Sequence, residues 1–152
     1  VSTRQRGSVV DAVPSHEHRS ASAFPDNHFD LLLRIEFAIG FRYPERVNRI
    51  IGMSGNYDIK RFTGGYSDDT VYACNPFDFM QHEQDPDRLA AFRRQDLIFV
   101  IGRDDPMYQN NVEFSRLLCN KGIGNALRTW DEHAHDWPYW EKMIVQYVGG
   151  HD

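Results

Sequence analysis

Leu97-Ile98-Phe99-Val100-Ile101, followed at once by Gly102-Arg103-Asp104-Asp105-Pro106, is the stretch from which the rest of the chain can be read. An unbroken apolar run rich in β-branched residues predicts a strand buried on both faces, as in a parallel sheet. A glycine, two carboxylates and a proline then end it, so the acids fall at the strand's carboxyl end. In open α/β sheets that edge is where ligands and chemistry collect.

Working outward, Ala126 to Trp130 reads as the next strand, and His133-Ala134-His135-Asp136-Trp137-Pro138 comes directly after it. Asn110 or Asn111 is expected to cap a helix between the two strands, carrying Val112, Phe114, Leu117 and Leu118 and ending at Gly122. Pro138 opens a last helix with Tyr139, Met143, Ile144 and Tyr147. Upstream, Asp85 and Pro86 have the form of an N-cap and first helical position, the helix running to Arg94. Residues 47–53 form a shorter strand that runs into Ser54-Gly55. Strand, helix, strand, helix with short links is the α/β pattern, here with three parallel strands at about 47–53, 97–101 and 126–130 and packing helices. An acid after one strand and a histidine after the next form the last two members of a Ser–Asp–His triad in chain order.

Composition narrows the classes. The chain has 152 residues, 41% of them hydrophobic, which suits one domain with a core. A net charge of −5 argues against a nucleic-acid partner, which a basic patch would have to hold. No apolar run approaches the roughly twenty residues of a membrane-spanning helix, and no signal-peptide segment is evident. Cys74 and Cys119 are too few and too far apart for a disulfide framework and read as idle thiols of a cytoplasmic protein.

Residues 1–27 show neither period and are rich in Arg, Ser, His and Ala, so they are expected to form a disordered tail. His16 and His18 lie in it as solvated side chains. From His28 to Arg42 the character changes: Phe29, Leu32, Leu33, Phe37 and Phe41 recur at helical spacing, and Leu31, Ile35 and Ile39 widen the face. This buried helix should end near Tyr43, ahead of Pro44. The segment from Gly64 to Gln84 reads as irregular, with Tyr66, Tyr72, Phe77 and Phe79 folding over the sheet as a lid or wall.

From Phe41 onward the chain resembles the esterase D-like branch of the α/β-hydrolase superfamily. The matching text is Phe41-Arg42-Tyr43-Pro44-Glu45-Arg46-Val47, Met53-Ser54-Gly55-Asn56-Tyr57-Asp58, Gly102 to Pro106, Asn110-Asn111, Lys121-Gly122-Ile123 and His135-Asp136-Trp137-Pro138, with Trp140 just beyond. The resemblance implies that residues 28–150 are the C-terminal part of such a domain, hydrolysing a small carboxylic ester without cofactor or metal. It places the acid on Asp105, with Asp104 the adjacent alternative, and the histidine on His135. His135 would take the nucleophile's proton and return it to the leaving alcohol, while Asp105 fixes the imidazole tautomer.

The nucleophile elbow is missing from this pattern. Counting back along the 28–42 helix puts the serine position near Asp30 and its small neighbours near His28 and Leu32, where no glycine stands. Asp30 itself reads as an N-cap, with a replacement nucleophile as the alternative. Ser54 comes after a strand, but its second glycine falls one residue early for G-x-S-x-G and a turn succeeds it instead of a helix. A chain beginning at Val1, patternless ahead of the 28–42 helix and with a resemblance that starts abruptly within that helix, suggests that residues up to about 37 come from a shifted frame or a misplaced start, which the other two frames of the coding DNA would reveal. The expected function is accordingly an esterase-type hydrolase that is weak or inactive as this chain; the alternative is a non-catalytic remnant or binding module. A three-stranded sheet would leave an open edge through which copies could associate. Trp137 and Tyr139 are the candidate substrate-binding residues, in a cluster with Trp130 and Trp140 that otherwise packs the last helix on the sheet. A metal held by Asp131, His133, His135 and Asp136 is a further reading, against which a hydrogen-bonded histidine loop is the commoner arrangement.

Overall fold

The computed structural model describes residues 39–149. The expected tail and most of the expected 28–42 helix, with Asp30, lie outside the described residues. Residues 39–42 are helical, Phe41 is buried, and the Tyr43 N–H still donates to the Ile39 carbonyl before Pro44 ends the run.

Three strands, β1 (Arg49–Met53), β2 (Asp96–Gly102) and β3 (Ala126–Trp130), form one parallel sheet in the order β1-β2-β3. The register sets Ile51 beside Ile98 and Ile98 beside Ala126. β2 is central because it alone is apolar on both faces: after exposed Asp96, every residue to Gly102 is buried. Its alternation divides the core. Leu97 and Phe99 join Ile50, Phe41, Tyr57, Phe92, Phe114 and Leu118 on one side. Ile98 and Val100 join Ala134, Met143 and Tyr147 on the other.

The first face is an aromatic stack. Tyr57 lies against Phe114 with ring centroids 4.4 Å apart, and Phe99 meets both rings edge-on. Burial pushes the Tyr57 hydroxyl well above its ordinary pKa. The second face is covered by the last helix, α5 (Trp137–Val148), through Met143 and Tyr147.

Among the described residues, besides the helical residues 39–42 and a 3-10 turn at Lys60–Phe62, α5 is preceded by α1 (Asp69–Ala73), α2 (Pro76–His82), α3 (Pro86–Phe92) and α4 (Tyr108–Asn120). Asp85 caps α3 as expected, its side chain accepting from the Asp87 and Arg88 N–H groups. α4 ends as expected too: Gly122 adopts φ 70°, and the Ile123 N–H reaches back to Leu118.

The first strand, Arg49–Met53, lies within the expected stretch of about 47–53. Two expectations need correction. The 64–84 segment holds α1 and α2, helices of five and seven residues that are too short to show a period. Its Phe77 and Phe79 pack against the core, whereas Tyr66 and Tyr72 are exposed and form no wall. Finally, α4 begins at Tyr108, ahead of both asparagines. Asn110 accepts from the Tyr57 N–H, and Asn111 donates to the carbonyls of Gly55 and Met107. These side chains tie the helix to the loop after β1.

Candidate active site

The carboxyl ends of β1, β2 and β3 bring the singled-out residues together. Past Gly102 the chain turns sharply: the Asp105 N–H donates to Gly102, and the Tyr108 N–H donates to Asp105 to start α4. The Asp105 side chain is fully enclosed. One oxygen, Oδ1, accepts from the Met107 N–H at 2.7 Å, and Oδ2 lies 2.6 Å from His135 Nδ1. Burial by itself would raise the Asp105 carboxyl. The hydrogen bonds from His135 and Met107, with the positive charges available on His135 and His133, outweigh burial and hold it below its ordinary value.

The loop after β3 is held against β2 along its length. Arg103 donates its N–H to Trp130, and Asp104 donates its N–H to Glu132. Gly102 packs so close that a Cβ there would fall inside the His133 carbonyl group and 2.6 Å from Glu132 O. Glu132 (φ 63°) and Ala134 (φ 45°) sit in the left-handed region that L residues rarely enter. Ser54, at φ 55°, does the same at the end of β1, and its buried hydroxyl donates to the Ala134 carbonyl at 3.5 Å. Strain of this kind persists where neighbouring structure over-determines the backbone, and it clusters at functional sites.

Of the two acids, it is Asp105 that meets His135. Asp104 is exposed and contributes a backbone hydrogen bond. Residues 55–59 after Ser54 form no helix, and its hydroxyl bonds a carbonyl, so the local structure is not that of a nucleophile elbow. Trp140 lies 5.5 Å from the His135 ring, and half-exposed Trp137 meets Trp140 edge-on. Tyr139 turns the other way. Its hydroxyl donates to Glu132, which raises its pKa, and it lines an open polar groove with Arg103, Trp130 and Tyr147. Trp137 is therefore on the histidine side, and Tyr139 is on the side of β3.

The sequence pattern gave no sign that His133 neighbours the acid. Its ring stacks on His135 at 5.5 Å and 24°, and ligand atoms of Asp105, His133 and His135 lie within 4.8 Å of one another. Asp131 and Asp136, expected with them in the metal reading, are not part of that group among the described residues. The i, i+2 spacing of the histidines was a usable signal. The acid from the preceding strand was not, since only the fold joins it to them.

The three-stranded parallel sheet and its packing helices have the fold of part of several solved α/β hydrolases. A ferulic acid esterase matches with a TM-score of 0.61 and 23% identity, over 73% of this chain and 43% of that one. The S-formylglutathione hydrolase of Staphylococcus aureus matches with a TM-score of 0.55 and 16% identity, over 78% and 47% of the two chains. A substrate-bound, fluorophosphonate-binding serine hydrolase of the same organism matches with a TM-score of 0.57 and 14% identity, over 77% and 49%. The chain thus spans less than half the length of each of these proteins. No family model and no curated protein matches it. Among the described residues, no helix is long and apolar enough to cross a membrane.

Proposed function

We propose that this chain carries the acid and base of a carboxylic-ester hydrolase, with Asp105 orienting His135 and His135 as the proton-transfer group. The observation that carries the reading is the 2.6 Å contact between enclosed Asp105 Oδ2 and His135 Nδ1 at the carboxyl edge of a parallel sheet. A carboxylate so placed fixes the tautomer with the proton on Nδ1, which makes Nε2 the basic atom, and stabilises the imidazolium formed when Nε2 takes a proton. Trp137 and Trp140 supply apolar surface on that side for an acyl or alcohol group.

With no serine elbow in the sequence, His135 acts on this chain as a general base toward water. The esters it reaches are small ones with good leaving groups, and turnover is slow, because most of a triad's advantage depends on the nucleophile. The reaction needs no metal or cofactor. Hydrolysis of p-nitrophenyl acetate by the full chain tests this. A rate above buffer that falls to background in His135→Ala, and at least about tenfold in Asp105→Asn, is expected. Activity surviving both substitutions would remove the pair from the mechanism. A wild-type rate equal to buffer would favour the second reading, a non-catalytic binding module, since a fold does not by itself confer activity.

A further inference from the structure

We infer that His133, His135 and Asp105 form a binding site for a first-row divalent cation of the zinc type, and that the cation blocks proton transfer at His135. Three observations carry the site. The ligand atoms of the three side chains already lie within 4.8 Å of one another. Zinc bound to imidazole and carboxylate at roughly 2.0–2.2 Å asks for ligand atoms a little over 3 Å apart, so the Asp105–His135 pair, now 2.6 Å apart, opens slightly as Nδ1 gives up its proton while His133 closes on it.

The second observation is that the closure can come from one side chain. His133 is exposed and its ring is stacked on that of His135, so rotation about its own bonds brings its nitrogen in without moving the loop backbone. Asp105 and His135, by contrast, are held by the Met107 N–H and by the packing of residues 132–134 on Gly102.

The third is chemical. Two imidazoles and a carboxylate are a donor set suited to zinc, copper or nickel, and exposure at His133 leaves room for water to complete the coordination. Held together with Asp105, the cation takes His135 through Nδ1, the ring's one proton then sits on Nε2, and the nitrogen that serves as the base can no longer accept one. Cation and ester therefore compete for one residue, and His133 serves the cation alone.

The blocking effect rests on the hydrolase reading, whereas the site itself does not. The experiment keeps them apart by measuring binding directly. Calorimetric titration of the full chain with zinc chloride, in a buffer that does not chelate, is run on wild type, His133→Ala, His135→Ala and a His16→Ala/His18→Ala control. The site predicts one equivalent whose affinity drops at least tenfold in each of the first two variants and is unchanged in the control. Binding that survives His133→Ala undiminished overturns it, as does an absence of zinc binding to wild type. Because His133 is exposed, its removal should leave the fold intact, and an unchanged circular dichroism spectrum checks this. If ester hydrolysis is measurable, zinc should suppress it in wild type at concentrations at least tenfold below those needed for His133→Ala. Equal sensitivity of the two overturns the blocking role even if the site stands, and an inert wild type with an intact zinc site counts against the hydrolase reading alone.

Discussion

At the scale of single residues, the site depends on one backbone atom having nothing attached to it. Gly102 ends β2, and the carbonyls of Glu132 and His133 occupy the space that a side chain would need. Gly102→Ala must therefore push the histidine loop outward and pull His135 from Asp105. Overpacking of this kind costs about 1–3 kcal/mol. Urea denaturation should show a loss in that range, and the Nδ1 proton resonance of His135 should move or broaden. An alanine variant as stable as wild type would mean that the loop has somewhere else to go. Asp105 makes a separate prediction about acid. Its folded pKa is depressed, so its contribution to stability is complete above the unfolded value of roughly 3.9 and disappears as pH falls through the lower folded value. Unfolding free energy measured from pH 6 downward should decline below about pH 4, and Asp105→Asn should flatten part of that decline. An identical acid limb in the two proteins would deny the carboxylate this role.

At the scale of elements, legibility tracked the length of the pattern. β2 could be read because Leu97 to Ile101 leaves no polar position for either face, and α3 because Asp85-Pro86 is a start signal that does not depend on the helix's later residues. Asp85→Ala removes the acceptor for two N–H groups at an exposed helix start and should cost about 0.5–2 kcal/mol in chemical denaturation. α1 and α2 could not be read, since five and seven residues hold too few turns for a period to emerge. The start of α4 was misplaced for another reason. Asparagine has the chemistry of a cap, and only the tertiary structure shows Asn111 spending its amide on Gly55 and Met107 instead. The same division holds for the site. Asp105 and His135 were visible as strand-end residues, but that Asp105 rather than Asp104 faces inward is decided by the turn closed on Gly102 and Met107. His133 joins them only through the fold.

At the scale of the whole molecule, a sheet covered on both faces still has two edges. β1 and β3 each pair on one side only among the described residues. Along β1 the Asn48 carbonyl accepts from Asp96 and the Ser54 N–H donates to Val100, so the backbone of the even-numbered positions faces β2. By alternation, the peptide groups of Arg49, Ile51 and Met53 face the open edge. Rows of unpaired strand groups are templates for another strand, and the chain carries neither a proline nor a lysine in β1 to discourage one. The full chain is therefore expected to self-associate through β1, with a sedimentation coefficient that rises as concentration increases. Proline is tolerated on edge strands where its missing N–H would face outward. Ile51→Pro should remove the rise while leaving parallel pairing to β2 in place, at some cost in stability because Ile51 also packs against the α5 side of the core. Unfolding in urea, measured alongside, separates loss of association from loss of fold. A wild-type coefficient that stays constant across the concentration range would mean that the edge is covered, and the association would have to be abandoned.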